Sequence, residues 1–61
     1  MIFKLIMKVD NAAFEDGNLH LEVARILRVS ADKLEDGMRQ VNLRDANGNL
    51  VGGGAFTEDE D

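Results

Sequence analysis

The sequence predicts a small α+β domain, a β-α-β-β chain in which one helix packs on one face of a three-stranded antiparallel sheet. Three observations lead there: side chains that alternate in character over residues 2–9, apolar positions at helical spacing over residues 19–34, and two strand-like runs on either side of Asn47-Gly48. Sixty-one residues allow one thin core and exclude a second domain. The chain has no cysteine, so neither a disulfide framework nor a thiolate metal site can support that core; packing or self-association must.

In the first strand Phe3, Leu5, Met7 and Val9 share one face, while Lys4 and Lys8 lie on the other beside Ile2 and Ile6. A sheet covered on one side only would leave Ile2 and Ile6 wet, which marks them as a candidate partner surface. Asp10, Asn11, Asp16, Gly17 and Asn18 are turn and cap residues. The strand is therefore expected to end at Asp10, with one helical turn over residues 12–15 that carries Phe14 as a plug over the end of the core.

Leu19, Val23, Ile26, Leu27, Ser30, Ala31 and Leu34 fall on one helical face, and His20, Glu22, Arg25, Arg28, Asp32, Lys33 and Glu35 take the remaining positions. This predicts an amphipathic helix of about 17 residues, capped by Asn18 and closed by Gly37 in the left-handed conformation. Glu22 with Arg25, and Arg28 with Asp32, read as surface pairs worth about 0.3 kcal/mol each.

Residues 38–45 and 49–56 flank Asn47-Gly48, a pair suited to the positive φ angles of a two-residue type I′ hairpin loop. In that register Ala46 pairs with Asn49, and Val41 and Leu43 share the helix-facing side with Leu50 and Phe56, leaving Val51 and Ala55 on the open side with Ile2 and Ile6. Gly52-Gly53-Gly54 inside the last strand implies a bulge or a close backbone approach, most simply the helix lying near over the glycines. The first strand is expected beside the last, all antiparallel, because a parallel pairing with the second strand is the rarer arrangement.

The formal charge is −5, but Glu58, Asp59, Glu60 and Asp61 carry four of the negatives; residues 1–57 hold seven basic and eight acidic side chains. The body, residues 1–56, is thus nearly neutral, and residues 57–61 read as a disordered acidic tail. No basic stripe is present for a phosphate backbone, so no direct nucleic-acid binding is expected. The longest apolar run, Leu5-Ile6-Met7, is far short of the roughly 20 residues that span a bilayer, and no signal-peptide pattern stands at the N-terminus. No membrane association and a cytoplasmic location follow as expectations.

The residues that could carry chemistry are few. His20 and Ser30, ten residues apart on one helix, would stand about 15 Å apart, beyond a nucleophile–base hydrogen bond. Glu15-Asp16 and Glu35-Asp36 are adjacent carboxylate pairs without the apolar setting that raises a pKa for acid–base work. Asp45-Ala46-Asn47-Gly48-Asn49 has the alternating oxygens of a calcium loop, but Leu50 and Phe56 stand where an EF-hand needs glycine and glutamate. Neither a catalytic group, a metal nor a cofactor is expected. Residues 23–37 look like the middle of a repressor-type helix-turn-helix with Ser30 capping a second helix, yet that helix would present Asp32, Glu35 and Asp36 against Lys33 alone.

DNAAFED at residues 10–16, EVARILR at 22–28, DKLEDG at 32–37 and LRDANGNLVG at 43–52 together resemble small proteins of tailed phages and prophages. The similarity covers roughly four-fifths of the chain, mostly in caps, core and turns. It implies an accessory protein of phage origin, a class that includes inhibitors of host machinery such as anti-CRISPR proteins. The expected function is binding and inhibition of a host protein, most specifically a CRISPR effector subunit. Asp10, Glu15, Asp16, Glu35 and Asp36 would engage a basic nucleic-acid-binding surface while Ile2, Ile6, Val51 and Ala55 desolvate the contact. The alternatives are a structural or assembly protein that forms a homodimer through the open sheet face, and a helix-turn-helix transcription regulator.

Overall fold

The computed structural model describes residues 1–58. Strand β1, Ile2–Met7, leads through a 3₁₀ turn, Ala12–Phe14, into helix α1, Leu19–Glu35; strands β2, Gln40–Arg44, and β3, Leu50–Thr57, complete the chain. The strands are ordered β1-β3-β2 with both pairings antiparallel, and the helix covers one side of the sheet, as the sequence predicts. β1 is shorter than expected and ends at Met7, although the Lys8 N–H still donates to the Val51 carbonyl. Thr57 is the last residue of β3 rather than the first of a tail; residues 59–61, the remainder of the expected disordered tail apart from Glu58, lie outside the described residues.

The helix runs unbroken through Ser30, whose hydroxyl donates to the Ile26 carbonyl at 3.0 Å. A helix-turn-helix over these residues needs a turn there, and none is present. Gly37, at φ +99°, closes the helix: its N–H donates to Leu34 and that of Met38 to Lys33, the two bonds of a Schellman ending. Asn18 occupies the N-cap position but makes no side-chain cap bond. Its backbone is already in the right-handed helical region, so its side chain is not aimed back at the free N–H groups of the first turn.

Phe14, Ile26, Val41, Leu43 and Val51 form the buried core, with Leu5, Met7, Val23 and Leu34 packed partly against it. Val51 corrects the sequence reading: it is 6% exposed, and Leu50, assigned to the core, is 60% exposed on the open face. The cause is the hairpin. Its loop has three residues, with Asp45 N–H donating to the Asn49 carbonyl and Gly48 N–H to the Asp45 carbonyl. Gly48 has φ +83°, and Asn47 does not share that sign, so the loop is a type I turn closed by a left-handed glycine. Arg44 then pairs with Leu50, and a bulge at Val51 restores Leu43 opposite Gly52 and Val41 opposite Gly54. Two one-residue irregularities cancel, so the pairing beyond the bulge is the expected one while Leu50 and Val51 exchange sides.

Gly52 and Gly54 make room for β1 and Gly53 for the Val41 carbonyl of β2; contrary to expectation, none of them makes room for the helix. A side chain at Gly52 would meet the Ile6 carbonyl, and one at Gly54 would come within 2.9 Å of the Phe3 ring and 3.3 Å of Leu5. Phe56 lies on the helix-facing side but beyond the helix's cover, against Phe3 at 4.9 Å between ring centroids, with the Arg39 guanidinium 5.4 Å from its ring centre.

Candidate functional site

Two features stand out from this frame: the open face of the sheet and a polar cluster where the hairpin loop meets the helix. Strand alternation puts Ile2, Lys4 and Ile6 on the open face, opposite Thr57, Ala55 and Gly53. Gln40 and Asn42, opposite Ala55 and Gly53, continue it across β3. Ile6 is 73% exposed and shares a shallow depression with Lys8, Leu50 and Gly53; a second depression runs from Lys4 and Ile6 across Ala55 to Gln40 and Asn42. Gly53, which carries no side chain on this face, floors the hollow between Ile6 and Leu50. Ile6 and Ala55 are thus where the sequence predicts them, Ile2 is half-buried, and Val51 is withdrawn into the core with Leu50 in its place.

The five candidate carboxylates do not form one patch. Asp10, Glu15 and Asp16 are exposed around the 3₁₀ turn, and Glu35 and Asp36 are exposed at the far end of α1, about 25 Å away along a 17-residue helix. Asp16 adopts φ 59° beside Gly17 at φ 80°, so it also serves the tight turn into the helix, in a conformation that aspartate tolerates better than most residues. The face that carries Ile6 and Leu50 is bordered by Lys4 and Lys8, not by acids. A contact that uses the apolar face and all the carboxylates together would have to wrap around the domain.

The polar cluster was not legible from spacing. Glu22, read as a surface ion-pair residue, is 8% exposed and bonded to three groups: Arg25 Nε at 3.0 Å, Arg25 Nη2 at 2.8 Å and the Ala46 N–H at 2.7 Å. It ties the helix to the hairpin loop. Asp45 is buried beside it and accepts from the Asn47 and Asn49 N–H groups, both at 2.9 Å, and from the Asn11 side chain at 2.8 Å. Asn11 in turn caps the 3₁₀ turn through the Ala13 N–H. The only sequence signal was that Asn11 and Asp45 each open a turn; nothing in linear spacing placed them within hydrogen-bond reach across 34 residues.

These bonds set the local electrostatics. The Arg25 guanidinium holds the Glu22 carboxyl below its ordinary range, against a desolvation cost of the opposite sign and with help from the Ala46 N–H. Glu22 raises Arg25 in return. For Asp45, burial pushes upward, but the donors from Asn49, Asn11 and Asn47 outweigh it and the carboxyl lies below its ordinary value. Both groups are therefore held as anions by fixed donors, an arrangement that fastens three segments together.

His20 is exposed on the first turn of the helix, and Ser30 is buried with its hydroxyl committed to Ile26. Among the described residues no group of three or more His, Asp or Glu side chains is placed to hold a metal ion, and no helix is long and apolar enough to cross a membrane. No family model, curated protein or solved structure matches the chain.

Proposed function

We propose that this chain is a non-enzymatic binding protein that docks a protein partner on the open face of its sheet. The observation that carries the reading is the pair Ile6 and Leu50, 73% and 60% exposed, which flank one glycine-floored hollow on the side the helix does not cover. An apolar centre with a polar border is the usual anatomy of a recognition surface, and here the border is supplied by Lys4, Lys8, Gln40 and Asn42. The lysines would orient a partner whose own rim is acidic.

The resemblance to phage proteins supports the finer reading that the partner belongs to the host and is inhibited by the contact, an anti-CRISPR-type block of an effector subunit being the specific case. In that case the two acidic ends act separately, one through Asp10, Glu15 and Asp16 and the other through Glu35 and Asp36.

The test is affinity capture of the tagged full chain from a bacterial lysate beside two variants, Leu50→Lys and the reversal of the five carboxylates to lysine. A protein retained by the wild type and lost with Leu50→Lys is the expected result, and a CRISPR effector subunit lost with the charge reversal would establish the finer reading. Retention of the same protein by Leu50→Lys would overturn docking on the open face.

A further inference from the structure

The two edges of the sheet are not equivalent. On the β2 edge Arg25, Val29 and Lys33 of the helix line one cleft with Asn42 and Arg44, and Arg25 donates to the outward-facing Arg44 carbonyl at 3.2 Å. The helix thus occupies one of the outward backbone groups on that edge. Among the described residues the β1 edge has no such cover. Because the Lys8 N–H donates to Val51, the even-numbered residues of β1 turn their backbone groups toward β3, and the groups of Phe3, Leu5 and Met7 point away from the sheet.

Above this free edge the core is incomplete. At 100° per residue, the helix flank opposite Arg25 and Val29 carries Val23, Leu27 and Ala31. The apolar stripe of α1 is thus rolled toward β1, yet Leu27 remains 41% exposed and Phe3 on the strand below is 37% exposed. Five buried hydrophobic side chains are few for a domain of this size, and two elements of the chain point unused apolar surface at the same open edge.

We infer that β1 pairs with β1 of a second copy of this chain, antiparallel and two-fold symmetric about Leu5, to make a six-stranded sheet. The register follows from charge. Two-fold pairing about Lys4 would set Lys4 against its own mate, and pairing about Ile6 would set Lys4 against Lys8. Pairing about Leu5 sets Lys4 beside Ile6 and Lys8 beside Ile2, with no lysine facing another. In that register the outward backbone groups of Phe3 and Met7 bond reciprocally and those of Leu5 bond each other, six hydrogen bonds in all. The lysines thus exclude the two adjacent registers, and of the two-fold registers they allow, only that about Leu5 pairs the whole of Phe3–Met7. Phe3, Leu5 and Met7 of both copies then share one apolar floor beneath the Leu27 flank of each helix. A strand pairing of this length is small beside the about 800 Å² per partner of a stable interface, so the dimer dissociates on dilution.

This inference uses the sheet edge and is independent of partner docking on the open face. Sedimentation equilibrium of the full chain between about 10 μM and about 1 mM is expected to show a monomer–dimer equilibrium. Ile6, which is exposed, provides the register test: Ile6→Glu stands opposite Lys4 of the mate and tightens the dimer severalfold, whereas Ile6→Lys weakens it severalfold. Stacking through the open face would be weakened by both. The chain has no native cysteine, so Leu5→Cys, checked for its fold by circular dichroism, should cross-link on oxidation at least tenfold faster than Lys4→Cys, whose mates stand farther apart. A monomer throughout the concentration range, equal weakening by Ile6→Glu and Ile6→Lys, or faster cross-linking at Lys4→Cys would each overturn the inference.

Discussion

Gly52 and Gly54 are small because β1 stands where a side chain would go. At Gly52 the obstacle is backbone, the Ile6 carbonyl, which cannot rotate aside; at Gly54 the closest atom is on the Phe3 ring at 2.9 Å, which can give way, while the Leu5 tip and the Lys4 carbonyl, both at 3.3 Å, ask for a shift of a few tenths of an ångström. Alanine at either site also stiffens the unfolded chain, a gain of about 0.4–1 kcal/mol that offsets part of the strain. Gly52→Ala is therefore expected to cost about 3 kcal/mol and Gly54→Ala about 1 kcal/mol, read as the shift in urea midpoint at constant slope. Equal losses at the two sites would mean that the side chains around Gly54 are as fixed as the backbone at Gly52.

At the scale of elements, the helix shows which sequence signals are reliable. Its extent and its glycine ending were legible because period and cap chemistry are local, and the sheet order followed from the hairpin and the rarity of the parallel alternative. Its inward stripe was read about one position off: Glu22, Ile26 and Ser30 are buried, while Leu19 and Leu27 stay partly exposed. A hydrophobicity pattern averages over the whole apolar arc, and the roll of the helix is decided by what ties it down, here the bond from Ala46 to Glu22. The same locality explains the hairpin. Asn47-Gly48 satisfied the rule for a two-residue loop, but the Asp45 carboxylate collects N–H groups of a three-residue loop that the sequence alone could not weigh. The open face was therefore recognised with one of its members, Val51, wrong. The helix also supports a test. Ser30 bonds within the helix and caps nothing, so Ser30→Ala should change stability by no more than about 0.5 kcal/mol in thermal or urea unfolding. A loss nearer the about 1 kcal/mol of a deleted N-cap would indicate a break at that position.

At the scale of the whole molecule, five buried hydrophobic side chains leave little reserve, and the Glu22–Asp45 cluster acts as a clasp between the 3₁₀ turn, the helix and the hairpin. Its sign with pH is fixed by the direction of the shifts. Both carboxyls titrate lower in the folded chain than at their ordinary values of 4.5 for Glu22 and 3.8 for Asp45. Their contribution is thus fully present above those values and is lost as pH falls through the lower folded values. Unfolding temperature should be insensitive to these two groups from pH 7 to about 5 and decline below about 4.5, with the steep part of the decline reduced in Glu22→Gln. An acid limb unchanged by Glu22→Gln would place the proton uptake on other carboxylates.

The offset between loop and bulge gives the hairpin tip a second possible reading frame. Shortening the loop to Asn47-Gly48 and straightening the strand at Val51 leaves every pair from Leu43 and Gly52 outward untouched, yet it would send Leu50 inward and bring Val51 to the surface. The apolar hollow and the core therefore draw on the same two neighbouring side chains, and the hydrogen bonds to Asp45 decide which of them is offered to a visitor and which is kept.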